Sequence, residues 1–216
     1  MYERIAKIIT LVLSFPKTVY ANFKYLPFSQ AIRLPVFVHW NSSLAGNGRF
    51  IIHRESTGCI RIGTQDMAFP SKKLTLCVTG TLEFSGKAFI GTGSEIVVRG
   101  RLTIGDNFSC SSGCKIDAKA ESSFGNNVLI GHNCTFIDDD GHKLLQEGKR
   151  INDKVGYHIG NNIWFGRECL VLKGTTTSNN IVFGARSLIS GQYDAENVVY
   201  GGAPARVIKS NIDWER

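Results

Sequence analysis

Proline and methionine are scarce, with five and two among 216 residues, and no stretch stays apolar for the roughly 20 residues a membrane-spanning helix needs. The longest apolar run, Ile5 to Phe15, is broken by Lys7 and Thr10 and stopped by Pro16. Lys17 and aromatic residues follow it where a secretory signal would have small residues at a cleavage site, so it does not read as a signal peptide. The six cysteines include no C-x-x-C pair, which argues against a thiolate metal site or a redox motif. They are also too sparse for a disulfide scaffold, so they are expected to be reduced and mostly buried, which points to a cytoplasmic address. No dense Lys/Arg tract interleaved with aromatics occurs. The net charge of +7 is concentrated at one end, since residues 1–40 hold five Lys or Arg against one Glu. The balance therefore marks a basic end rather than a surface for nucleic acid, and nucleic acid is not an expected partner.

Apolar residues make up 43% of the chain, enough for a sizeable core. Ile and Val together number 35 against 15 Leu, and glycine supplies 23 residues. β-branched side chains suit pleated backbone and frequent glycines suit frequent turns, so this composition indicates a β protein and excludes helical bundles.

The apolar residues recur every six positions. Val78, Phe84, Ile90, Ile96 and Leu102 form one run; after a two-residue shift come Ile104, Cys110 and Ile116, and after another Phe124, Ile130 and Phe136. A last run takes Ile159, Phe165, Val171, Thr177, Phe183 and Ile189, with Thr177 the one polar member. Three residues after many of these stands Gly or Asn, at 93, 107, 113, 127, 133, 162, 174 and 180. Those types tolerate the left-handed backbone of a tight corner. Six residues thus supply one inward side chain and one corner, a period that fits neither an ordinary helix nor a flat sheet but does fit an all-β solenoid.

Units such as Ile104-Gly105-Asp106-Asn107 and Ile159-Gly160-Asn161-Asn162 resemble the hexapeptide-repeat proteins, whose fold is a left-handed parallel β-helix with three units to a triangular coil. The resemblance covers about residues 78–209. Residues 1–60 do not repeat and are expected to form a helix followed by an extended aromatic segment that caps the coil, with the β-helix occupying 61–216. Ile5, Ile8, Ile9, Val12 and Leu13 share a helical face, which would make that helix either a docking element or an interfacial anchor; its basic surroundings suit peripheral contact with an anionic membrane.

The register is suspended between Phe136 and Ile159, and a loop this long is often functional. Its segment 137–158 contains Asp138, Asp139, Asp140 and His142, the densest chemical cluster in the chain. Histidine is the natural general base near neutral pH, and a carboxylate on its other nitrogen would fix its tautomer. Adjacent aspartates cannot all point at one ring; Asp138 and Asp140 are the candidates carried forward.

This element is similar to the D-x-x-H segment of the hexapeptide sugar and surface-polysaccharide O-acetyltransferases. Two further motifs follow in that subgroup's order: Ile159-Gly160-Asn161-Asn162-Ile163-Trp164-Phe165-Gly166 and Gly201-Gly202-Ala203-Pro204-Ala205-Arg206-Val207-Ile208-Lys209. The resemblance implies an acetyl-coenzyme A-dependent O-acetyltransferase in which His142 is the base, and it implies no metal. Trp164, Gly166, Ala185 and Ser190 would flank the coenzyme arm, with Arg206 and Lys209 on its phosphates and Lys173 and Arg186 as weaker candidates. Ala185-Arg186 departs from the Ala-Gly more common in that family. The resemblance further implies a homotrimer with the cleft between subunits, and a carbohydrate acceptor in a surface polysaccharide or its precursor.

Three alternatives accompany this reading: N-acyl transfer to an amino sugar, a non-catalytic solenoid, and a zinc enzyme resembling the γ-class carbonic anhydrases that would use His132, His142 and His158. The last family needs two ligands about five residues apart, a pair this chain lacks. His132 reads as structural or subunit-facing, and His158 as a second residue that could line the cleft.

Overall fold

A computed structural model describes residues 2–64 and 72–215, with side chains in the first helix from Ile5 onward. Three parallel sheets of nine, seven and seven strands enclose one interior, and each sheet takes one strand from each turn of the chain. The ninth strand of the first sheet is an antiparallel return, Arg206–Ser210 against Val198–Gly201. On the first face, Ile90, Cys110, Ile130, Phe165, Phe183 and Tyr200 lie side by side in register. The architecture is the left-handed parallel β-helix that the resemblance to hexapeptide-repeat proteins implies.

Of the sequence positions picked out by that period, every apolar one is buried, and Thr177 is half-buried with its hydroxyl accepting the Gly160 amide. The eight Gly and Asn positions assigned to corners all have positive φ, from 56° at Asn127 to 78° at Gly113. Stacked corner asparagines bond to one another, Asn107 to Asn127 at 2.8 Å and Asn162 to Asn180 at 2.9 Å, so each corner is tied to the next. The shifts in the sequence period have a simple cause. Third-face strands Thr81–Phe84, Arg101–Ile104 and Glu121–Phe124 each bury two residues, which lengthens those turns from 18 residues to 20.

The β-helix begins earlier than the six-residue pattern. Strands Val36–Val38, Ser42–Ala45 and Arg49–Ile52 build a complete first turn inside the stretch read as a cap, and Ile60–Thr64 starts the second. Their inward residues alternate with period two, and their connections lack the Gly/Asn corner spacing. The aromatic stretch also differs from expectation: it is helical, because α1 runs Tyr2–Tyr25 through Pro16 and α2 follows at Phe28–Ala31.

The edge of the first face explains why α1 continues past a proline. Ser14, Thr18 and Asn22, one helical turn apart, hydrogen-bond Trp40 N, Val38 N and Val36 N, and Asn22 also donates to Val36 O. Four helical residues rise about 6 Å and two strand residues about 6.6 Å, so the polar stripe keeps step with the strand. It thereby satisfies an edge that would otherwise present open amides to another chain. Tyr25 then stacks on Phe50 at 4.5 Å and covers the end of the core.

Candidate active site

Each turn has a first corner between faces one and two and a second between faces two and three. The loop leaves at the second corner of the fifth turn, after Phe136, and returns at His158. Its root is buried. Asp138 is fully enclosed, and its Oδ2 accepts from Ala120 N at 2.7 Å and Ser122 Oγ at 3.3 Å; its Oδ1 has no hydrogen-bond partner among the described residues. At the other end Tyr157 is equally enclosed, packs between Phe124 and Phe136, and donates to Asp117 O. Gly156 is required beside it, because a Cβ there would lie 1.6 Å from Glu121 O.

Beyond this root the loop is held by charge. Asp139 accepts from Lys119 at 3.1 Å, and this lysine holds its carboxyl below the usual range. Asp140 accepts from Lys173 at 2.5 Å and Asn152 Nδ2 at 2.9 Å, and it too is lowered, first by Lys173. Lys173 also donates to Asp153 O, so one cation in the sixth turn ties both limbs of the loop. Asn152 is the hub. Its amide donates to His142 O as well as Asp140, and its carbonyl accepts Leu144 N. His142 therefore has a fixed backbone and an exposed ring, and among the described residues no hydrogen bond reaches that ring.

Among the described residues neither Asp138 nor Asp140 hydrogen-bonds the imidazole: Asp138 bonds into the root and Asp140 to Lys173 and Asn152. Asn152 and Lys173 were not expected in these roles. A lone Asn in a polar stretch carries no pattern, and the Lys173 partnership depends on stacking of the fifth turn on the sixth.

The expected cofactor residues divide between corners. Gly166 and Ala185 stack at the first corner, where a Cβ on Gly166 would come within 2.6 Å of Ala185 N; Trp164 lies beside them on the first face. Ser190 is exposed at the second corner, two turns above the loop, with its amide donating to Tyr193 Oη. Arg206 and Lys209 are exposed on the return strand, and among the described residues neither enters an ion pair. Lys173 and Arg186 are already engaged, with Asp140 and Glu168 respectively. Trp214 donates to Asn162 O and leans on Trp164 at 6.0 Å, a contact far apart in sequence and invisible there.

The three histidines of the zinc alternative lie in different places: His132 at the first corner, His142 on the loop, and His158 on the third face, 3.0 Å from Ser123 Oγ. Among the described residues no three His, Cys, Asp or Glu come together as a metal-holding group. The cysteines are all unpaired thiols. Cys114, Cys134 and Cys169 stack behind the first corner and donate to Gly131, Gly166 and Gly184 carbonyls. Hydrogen bonding along this stack, and burial with it, raises their pKa values, that of Cys134 to about 12, so they are poor nucleophiles.

No family model matches the chain. It is 32% identical over 117 residues to the galactoside O-acetyltransferase of Escherichia coli (strain K12), a match covering 53% of this chain and 57% of that protein. It is 25% identical over 198 residues to the polysialic acid O-acetyltransferase of Neisseria meningitidis, covering 90% and 85%. The chain thus spans little more than half of the galactoside relative and most of the polysialic acid one. Among solved structures, the polySia-specific acetyltransferase NeuO superposes with a TM-score of 0.61 at 21% identity, over 84% of this chain and 89% of that one, a likeness that bears on the fold alone.

Proposed function

We propose that this chain, a member of the hexapeptide-repeat acetyltransferase family, transfers an acetyl group from acetyl-coenzyme A to a sugar hydroxyl of a cell-surface polysaccharide or its precursor. The observation that carries this reading is His142: a solvent-facing imidazole on an arm whose backbone and flanking carboxylates are fixed by Asn152, Lys119 and Lys173. A group held this way can exchange protons with a bound hydroxyl without first ordering its own support.

In the proposed step His142 takes the proton of the acceptor hydroxyl as its oxygen bonds to the thioester carbonyl carbon. The tetrahedral intermediate collapses with cleavage of the carbon–sulfur bond, and the proton passes from His142 to the departing thiolate. Acetyl-coenzyme A supplies the activated acyl group. Direct transfer suits this chain because its buried thiols, the stacked Cys114, Cys134 and Cys169, are held protonated. Arg206 and Lys209, free of carboxylate partners, fit the phosphates. The backbone around Gly166 and Ala185, with Trp164, fits the neutral arm.

The proposal extends to a homotrimer. Leu144, Leu145, Ile151 and Val155 on the loop are about half exposed or more, an apolar surface on a catalytic arm that a neighbouring subunit would cover. Six free thiols and a coenzyme A substrate suit a cytoplasmic setting.

The test is thiol release from acetyl-coenzyme A with galactosides and sialic acid oligomers as acceptors. His142→Ala is expected to reduce turnover at least ~10²-fold while leaving coenzyme A binding by calorimetry unchanged. Near-normal turnover would remove His142 as the base, and absence of coenzyme A binding in the wild type would remove the transferase reading.

A further inference from the structure

Helix α1 is amphipathic in an unusual sense, because its polar stripe faces the protein. Ser14, Thr18 and Asn22 are buried on the edge of the first face. At about 100° per residue, the opposite arc spans about 140° and carries Ile8, Val12, Ile5, Ile9 and Leu13, each 50–66% exposed. Phe23 extends this surface to Phe28, which it meets edge-on at 5.9 Å. A continuous apolar surface of this extent marks a binding face.

Charge identifies the occupant. Lys17 and Lys24 follow one border of the arc. Across from Lys17 stands Lys73, on a cavity of about 460 Å³ that Tyr20 and Trp40 also line. Lys17 Nζ donates to the carbonyls of Trp40 and Ser42, 2.6 Å each, which leaves its third N–H for an incoming oxygen. Burial and the nearby Lys73 both lower the Lys17 pKa, so an anion between the two would relieve an existing penalty. The carboxylate of Glu55 is already taken by Arg33 and Gln30. A second copy docking the same face would set lysine against lysine, whereas anionic phospholipids complement it. Among the described residues no helix is long and apolar enough to cross a membrane, and the buried polar stripe keeps one side of α1 on the protein. Such a helix lies in the interfacial plane with its apolar side toward the acyl chains and Tyr and Trp at headgroup level.

We infer that α1 seats this protein on an anionic membrane surface, with its Ile8-to-Leu13 arc at the acyl boundary and a lipid headgroup phosphate between Lys17 and Lys73. The inference stands apart from the acetyl-transfer reading, because its test measures no acetyl transfer.

The test is flotation of the full chain with vesicles of phosphatidylcholine alone and of an equimolar mixture with phosphatidylglycerol, alongside light scattering without lipid. The wild type is expected to float with the anionic vesicles, less with the neutral ones, and less as salt is added. Ile8→Glu with Val12→Glu, both on the exposed arc, should weaken flotation at least about tenfold with unchanged melting. Lys73→Glu should reduce the preference for phosphatidylglycerol. Undiminished flotation of the double variant would overturn the proposal, as would a wild type that binds neither vesicle. If the double variant in that case also breaks up a larger assembly, the face belongs to a second copy of the chain.

Discussion

Asp138 Oδ2 takes the Ala120 amide and the Ser122 hydroxyl where solvent does not reach, so removing the carboxylate would leave two buried donors without an acceptor. Asp138→Ala is expected to cost about 2–4 kcal/mol and to show in a thermal melt before it shows in substrate affinity. Asp140 differs: it is exposed, and Lys173 and Asn152 bind its charged form. Its pKa is depressed, so the tether is present at neutral pH and is lost only as pH falls through the lowered folded value. Lys173→Met should therefore loosen the loop and lower turnover at neutral pH, with little change in melting temperature. The two aspartates are nearly adjacent in sequence and serve opposite ends of the loop's construction. Sequence could locate the cluster, because it interrupts a strict period. It could not separate the two roles, because those depend on Ala120 and Lys173 in the turns below and above.

At the scale of elements, α1 shows how a correct pattern can mislead. The shared face of Ile5, Ile8, Ile9, Val12 and Leu13 is real, yet the docked face is the polar one, because an exposed strand edge needs hydrogen bonds more than it needs apolar cover. Asn22 makes both bonds to Val36, so Asn22→Ala should destabilise the protein by about 1–3 kcal/mol in denaturant unfolding, whereas Val12→Ala on the outer arc should change stability by less than about 0.5 kcal/mol. Equal losses from both would mean that the outer arc packs against something in solution and that the stripe is not what fixes the helix. From Val78 onward the strands were legible because one inward residue and one corner residue recur together. The first turn, at 36–52, was not, because its strands alternate simply and its corners are irregular.

For the whole molecule, the division of site residues between two corners is the chief constraint. Within one chain the second face separates Gly166 and Ala185 from the loop that carries His142, and a substrate long enough to reach both must lie along that face or across a junction between chains. The exposed Leu144, Leu145 and Ile151 favour the junction, since a loop held by four polar tethers has no need of an apolar tip unless a neighbour receives it. In light scattering the wild type is expected at three times the 23.8 kDa chain mass. Leu145→Glu should shift it toward the single chain and abolish acetyl transfer. Its far-ultraviolet spectrum should stay intact, because the solenoid core lies elsewhere and is complete within each chain. A variant that dissociates yet transfers acetyl groups at the wild-type rate would place the whole site on one chain. The coenzyme arm would then have to run along the second face, past Leu170 and Leu188, rather than between subunits.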